Sequence, residues 1–190
     1  MIFDDFAGLE KKYRIRLINC ITGYKSASLI GTVDQHGVKN LAVFSSVTHF
    51  GSNPPFVGIN FRPLSVPRDT YGNYKASGYC TVNHIHYDFV EKAHQTSGKY
   101  APDVDEFSEV GLTAKNVEKS EKTQELGIPD ALSYVKESRI RYTLKFCEEH
   151  LIKSNNTVLT IGQIVHAEVL DEALREDGSI DLEKTSTVTI

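Results

Sequence analysis

The sequence predicts a mainly β fold, a small antiparallel barrel of about six strands with peripheral helices. Strand-like apolar runs come in neighbouring pairs joined by polar turns, helical stretches are few and short, and strands and helices do not alternate as a parallel sheet requires. With 190 residues, 40% apolar and 24% charged, the chain can bury one substantial core. No repeat and no Pro- or Gly-rich linker divides it, so residues 1–190 are expected to form a single domain.

From Phe6 to Thr22, the apolar positions Leu9, Tyr13, Leu17, Ile18 and Ile21 recur at spacings of three and four, which predicts an amphipathic helix ended by Gly23. Residues Ser26 to Val33 and Val38 to Ser45 flank the polar turn Asp34-Gln35-His36-Gly37 and predict a β-hairpin. A further strand runs from Pro55 to Phe61 and stops at Arg62-Pro63, because proline cannot donate to a ladder. Pro67 to Ala76 is predicted as a helix, Tyr79 to Asn83 as a strand and Asp88 to Thr96 as a second amphipathic helix. Ser97 to Tyr134 reads as polar loop, with only Phe107, Val110 and Leu112 expected in the core. Alternation over Arg139 to Cys147 and Thr157 to Val169, around Asn155-Asn156, predicts a long hairpin.

Composition excludes several function classes. A net charge of −4 with dispersed Lys and Arg argues against nucleic acid, which needs clustered cations. Three scattered cysteines, Cys20, Cys80 and Cys147, offer neither a disulfide framework nor a CxxC pair, so a reducing, cytoplasmic setting is expected. No window approaches the ~20 apolar residues that span a bilayer, and no membrane association is expected.

The densest polar stretch is Ser45-Ser46-Val47-Thr48-His49-Phe50-Gly51-Ser52-Asn53-Pro54-Pro55, between the second and third predicted strands. Hydroxyls and loop amides at a strand end can cradle an anion; the same composition also reads as an ordinary Ser/Thr-rich turn. Arg62 closes the next strand, and Arg68-Asp69-Thr70 opens a helix whose first amides are unpaired and whose dipole favours negative charge. Arginine, hydroxyl and helix N-terminus together suit the phosphate of a mononucleotide, with a charge of about −1.5 to −2.

These segments carry a resemblance. The runs Asn19 to Thr32, Asn40 to Val47, Asn53-Pro54-Pro55, Arg62-Pro63, Arg68 to Asn73 and Val82-Asn83-His84 resemble the flavin reductase-like, FMN-binding split-barrel family. Asp103 to Phe107, Gly111-Leu112 and Glu176 to Leu182 extend the similarity along the chain. The resemblance implies a six-stranded split barrel, a homodimer, and FMN held noncovalently near the subunit interface. It implies that Ser26 and Ser28 lie beside the isoalloxazine edge and that Ser45, Ser46 and Thr48 reach the ribityl chain or phosphate. Arg62, Arg68, Thr70 and Asn73 complete the phosphate site on the same reading. It further implies an oxidoreductase moving hydride or electrons between NAD(P)H, or another donor, and FMN. A non-catalytic FMN-binding electron-transfer or sensing dimer is the alternative. The flavin carries the redox step in such proteins, so no catalytic side chain is expected, and no convincing dyad is visible.

His84, His86 and Asp88 could approach a metal, yet a third well-spaced ligand is missing and no metal site is expected. Tyr100 either covers the flavin ring or nicotinamide, or merely follows a helix end capped by Gly98. Cys20 and Cys80 are expected to act as small hydrophobes.

Overall fold

The computed structural model describes residues 2–190. Helix α1 (Lys11–Ile21) starts where the Glu10 carboxylate accepts a bond from the Tyr13 amide at 2.9 Å. It stops at Gly23, whose φ of +77° is a left-handed conformation that favours glycine. The expected first turn from Phe6 is irregular instead. None of α1 is buried, and Tyr13, Ile15, Ile18 and Ile21 are exposed.

Strands β1 (Ser28–Val33) and β2 (Lys39–Phe44) form the expected hairpin around Asp34, whose carboxylate accepts from the His36 and Val38 amides. The polar stretch that follows departs from expectation: Val47–Ser52 is itself a strand, β3, paired with β4 (Pro55–Phe61) around a bulge at His49/Gly51. Helix α2 (Asp69–Ser77) precedes β5 (Tyr79–His84), and α3 (Val90–Gln95) follows. The region read as loop holds α4 (Glu106–Glu109), β6 (Ala114–Asn116), α5 (Glu121–Glu125) and β7 (Ser133–Val135), with Phe107, Val110 and Leu112 buried. Strands β8 (Ile140–Ile152) and β9 (Thr157–Val169) complete the long hairpin.

The main sheet therefore has seven strands, not six, in the order β2-β1-β5-β8-β9-β4-β3, while β6 and β7 pair separately. Its barrel stays open between β2 and β3, the two edges joined by Ser45-Ser46. Every residue of β1 is buried because both its faces are covered. Leu29 packs with Leu41, Phe89 and Phe107, while Ile30 packs on the other side with Ile59, Val82 and Leu144. Gly162 on β9 lets Tyr74 of α2 lie across the sheet, since an added Cβ would sit 2.3 Å from the Tyr74 hydroxyl oxygen. The C-terminal segment returns along the first and fifth strands through bridges Ser26↔Thr189 and His86↔Thr187. No helix among the described residues is long and apolar enough to cross a membrane.

Candidate functional site

A cavity of about 660 Å³ opens at the split between β2 and β3. One wall is the outer part of β2 with the Ser45-Ser46 crossing, and a second is the end of β4 from Asn60 to Arg62. The N-terminus of α2, from Pro67 to Thr70, supplies a third, and the Thr96–Pro102 loop faces them with Glu106. Of the predicted residues, Ser45, Ser46, Arg62, Arg68 and Thr70 therefore share one cavity. Ser26, Ser28, Thr48 and Asn73 are not among its lining residues. Ser26 Oγ donates to the Val47 carbonyl at 3.1 Å, Ser28 is buried within β1, Thr48 is exposed on β3, and Asn73 Nδ2 donates to Thr32 Oγ1 at 3.4 Å.

Local chemistry explains why the cavity persists. Ser46 Oγ donates to the Asn60 carbonyl at 2.8 Å, and the Asn60 amide returns a bond to the Ser46 carbonyl at 3.1 Å. Arg68 occupies the N-cap position of α2 in extended conformation and makes no side-chain cap. The first helical bond closes from the Gly72 amide to the Arg68 carbonyl at 2.9 Å, so the preceding amides have no helical partner. Two polar atoms on the cavity wall, Arg68 Nε and Asn60 Oδ1, are buried without a hydrogen-bond partner. A buried guanidinium N–H left unpaired costs free energy that an anion would recover. Arg62, exposed at the end of β4, adds a second cation.

The floor is a polar network that sequence reading did not identify. Asn40 Nδ2 donates to Glu106 Oε1 at 2.8 Å, and the Leu41 amide donates to Glu106 Oε2 at 3.0 Å. Since β2 is a sheet edge, this carboxylate covers a backbone donor that would otherwise be unpaired. Asn40 Oδ1 accepts from Thr32 Oγ1 at 3.1 Å and from Thr70 Oγ1 at 2.8 Å. Burial pushes the Glu106 carboxyl above the usual carboxylate range, although the Leu41 amide and Asn40 oppose the shift.

Tyr100 lines the cavity, and its hydroxyl donates to the Gln95 carbonyl at 3.2 Å. Helix α3 ends with Thr96, not with a left-handed Gly98, so the glycine-cap reading is corrected. Away from the cavity, His86 Nε2 meets the Glu137 carbonyl at 2.6 Å and Asp88 pairs with Arg139. No group of three or more His, Cys, Asp or Glu suited to a metal occurs among the described residues. Cys80 is buried as expected, whereas Cys20 is exposed on α1.

Residues 23–182 match the flavin reductase like domain family. The chain belongs to that family. A split-barrel protein from Shewanella frigidimarina, carrying a provisional flavin reductase name, is 40% identical, with 100% of this chain and 90% of that one covered at a TM-score of 0.90. Nitrilotriacetate monooxygenase component B from Bacillus cereus is 21% identical over 100% and 91% of the two chains, with a TM-score of 0.83. An FMN-binding protein from Thermus thermophilus is 14% identical over 84% and 78%, with a TM-score of 0.66. The latter two establish likeness of fold. Membership in the flavin reductase-like family makes a flavin-related redox activity the setting for the cavity.

Proposed function

We propose that this flavin reductase-like protein binds FMN in the cavity at the barrel split and exchanges hydride or electrons between the flavin and NADH, NADPH or another donor. The observation that carries the reading is the buried, unpartnered Arg68 Nε beside the free amides of α2, with Arg62 on the neighbouring strand end. That set suits a phosphate ester, which offers several acceptor oxygens to one cation and a helix N-terminus. The FMN-binding relative supports the mononucleotide.

When bound, the flavin ring supplies the redox chemistry. The protein's share is to bind and orient: Arg68 and Arg62 neutralise the phosphate, and Ser45 and Ser46 meet the polar chain between phosphate and ring. The apolar flank of Ala42, Val43 and Phe44 offers the ring a surface of low polarity. Ser26, Ser28, Thr48 and Asn73 act in this reading through the frame around the cavity. The uncovered apolar residues of α1 support pairing with a second copy.

Titration of FMN with fluorescence quenching tests the reading, and micromolar affinity is expected. No quenching at micromolar FMN overturns it. Oxidation of NADH and NADPH by flavin-loaded protein then separates an oxidoreductase from a non-catalytic electron-transfer dimer.

A further inference from the structure

We infer that Glu106 sets the hydrogen-bond polarity of the cavity floor, so that a phosphate ester binds together with a proton taken up from solvent at Glu106. The inference rests on the proposed phosphate site and deepens it by assigning a positioning residue.

An ionised Glu106 can only accept, and it accepts from Asn40 Nδ2 and the Leu41 amide. This turns the Asn40 nitrogen towards Glu106 and leaves Oδ1 facing Thr32 and Thr70. Both threonine hydroxyls donate to it, at 3.1 and 2.8 Å. Thr70 has one hydroxyl proton, and it is committed to Asn40. On the cavity side the hydroxyl offers lone pairs alone, the wrong polarity for an anion.

Protonating Glu106 reverses the whole chain without moving a heavy atom far. The new O–H on Oε1 donates to an Asn40 amide turned by half a rotation, while Oε2 continues to accept from Leu41. Amide oxygen and nitrogen are nearly isosteric, so the turned Asn40 fits the same space. Its two N–H groups then donate to Thr32 Oγ1 and Thr70 Oγ1, and Thr70 is free to donate into the cavity. Asn73, half-buried and now donating to Thr32 at 3.4 Å, turns likewise so that its oxygen takes the Thr32 proton. The step forms one O–H bond with a solvent proton; no other covalent bond changes and no electron moves.

The surrounding charges oppose one another at Glu106: a like charge favours the neutral acid, while the cavity's cations favour the carboxylate until an ester neutralises them. Asp69 of α2 faces Glu106 as a like charge, whereas Arg68, Arg62 and Lys99 share the cavity as cations. Strand β2 presents neutral Asn40 and a backbone N–H, with Lys39 on its alternate face. Burial already favours the neutral acid, and an arriving phosphate adds negative charge that favours it further.

Calorimetry of FMN and riboflavin binding from pH 5 to 8, in buffers of different ionisation heat, tests the inference. The phosphate itself titrates near a pKa of about 6, so wild type is compared with Glu106→Gln, which shares that contribution. Glutamine reproduces the protonated pattern, its N–H donating to Asn40 and its oxygen accepting from Leu41. Wild type is expected to take up more protons per FMN than Glu106→Gln, by up to about one, with no such excess for riboflavin. Its FMN affinity is expected to fall, relative to Glu106→Gln, by up to about tenfold per pH unit as Glu106 ionises. Thr70→Val, which keeps the carboxylate but removes the responding hydroxyl, is expected to shrink the excess to the part induced by the ester's charge alone. Equal proton uptake in wild type and Glu106→Gln, or weaker FMN binding by Glu106→Gln at every pH, overturns the inference while leaving the flavin site standing. Absence of FMN binding to wild type overturns the flavin reading and this inference with it.

Discussion

Ser46 and Asn60 exchange two hydrogen bonds, Ser46 Oγ to the Asn60 carbonyl at 2.8 Å and the Asn60 amide to the Ser46 carbonyl at 3.1 Å. The pair fastens the chain that crosses the barrel split to β4, the strand that Arg62 follows. The serine hydroxyl thereby extends the β3–β4 ladder by one side-chain bond at the cavity wall.

Ser46→Ala removes the side-chain bond and leaves the Asn60 carbonyl short of a partner. A stability loss of about 1 kcal/mol is expected in denaturant unfolding. FMN affinity is expected to weaken as well, because the crossing loop forms a cavity wall. Unchanged values for both would show that the crossing is held by other contacts.

Arg68→Ala is expected to weaken FMN binding by roughly 1.5–3 kcal/mol, the scale of a hydrogen bond to a charged group. Riboflavin, which lacks the phosphate, is expected to lose far less. Parallel titrations by fluorescence quenching check this, and equal losses would mean that Arg68 does not contact the ester.

Stability carries its own pH signature. Glu168 meets Arg141 Nη2 at 2.6 Å and Lys115 Nζ at 2.7 Å on the β8–β9 side of the molecule. Burial pushes its carboxyl up, but bonds and charge from Lys115 and Arg141 outweigh burial and hold it below the usual carboxylate range. A depressed folded-state pKa stabilises above the unfolded value, and that stability is lost as pH falls through the folded value. Glu168→Gln is expected to cost roughly 2 kcal/mol at neutral pH, a difference that shrinks below about pH 4. Thermal melts of both proteins across pH 3–7 check the convergence.

The exposed Ile15 and Ile18 of α1 lie three residues apart on one helical face. If α1 packs against a second copy, as proposed, Ile15→Glu with Ile18→Glu halves the mass measured by light scattering. A dimer unaffected by both charges would place the interface elsewhere.

Long, strongly patterned elements were legible in the sequence: the β1–β2 hairpin, α2 and the β8–β9 hairpin all lie close to their expected positions. Strand β3 was not, since His49, Gly51 and Ser52 give it a turn-like composition and pairing with β4 alone decides its conformation. Helices α4 and α5 are too short for periodicity to register and depend on the sheet for support. At the site, Arg62, Arg68 and Thr70 were readable because arginine and helix-start chemistry point to anions. Asn40 and Asn60 were missed because one polar residue in a strand looks like ordinary alternation. Glu106 lay in a stretch read as loop, and its partner Asn40 is 66 residues away, a separation that local patterns do not encode.

A phosphate-selective flavin cavity at the barrel split is probed by comparing FMN with riboflavin affinity in wild-type protein at neutral pH. FMN is expected to bind at least about tenfold more tightly, a difference of about 1.4 kcal/mol supplied by the ester. Equal affinities for the two flavins would contradict it.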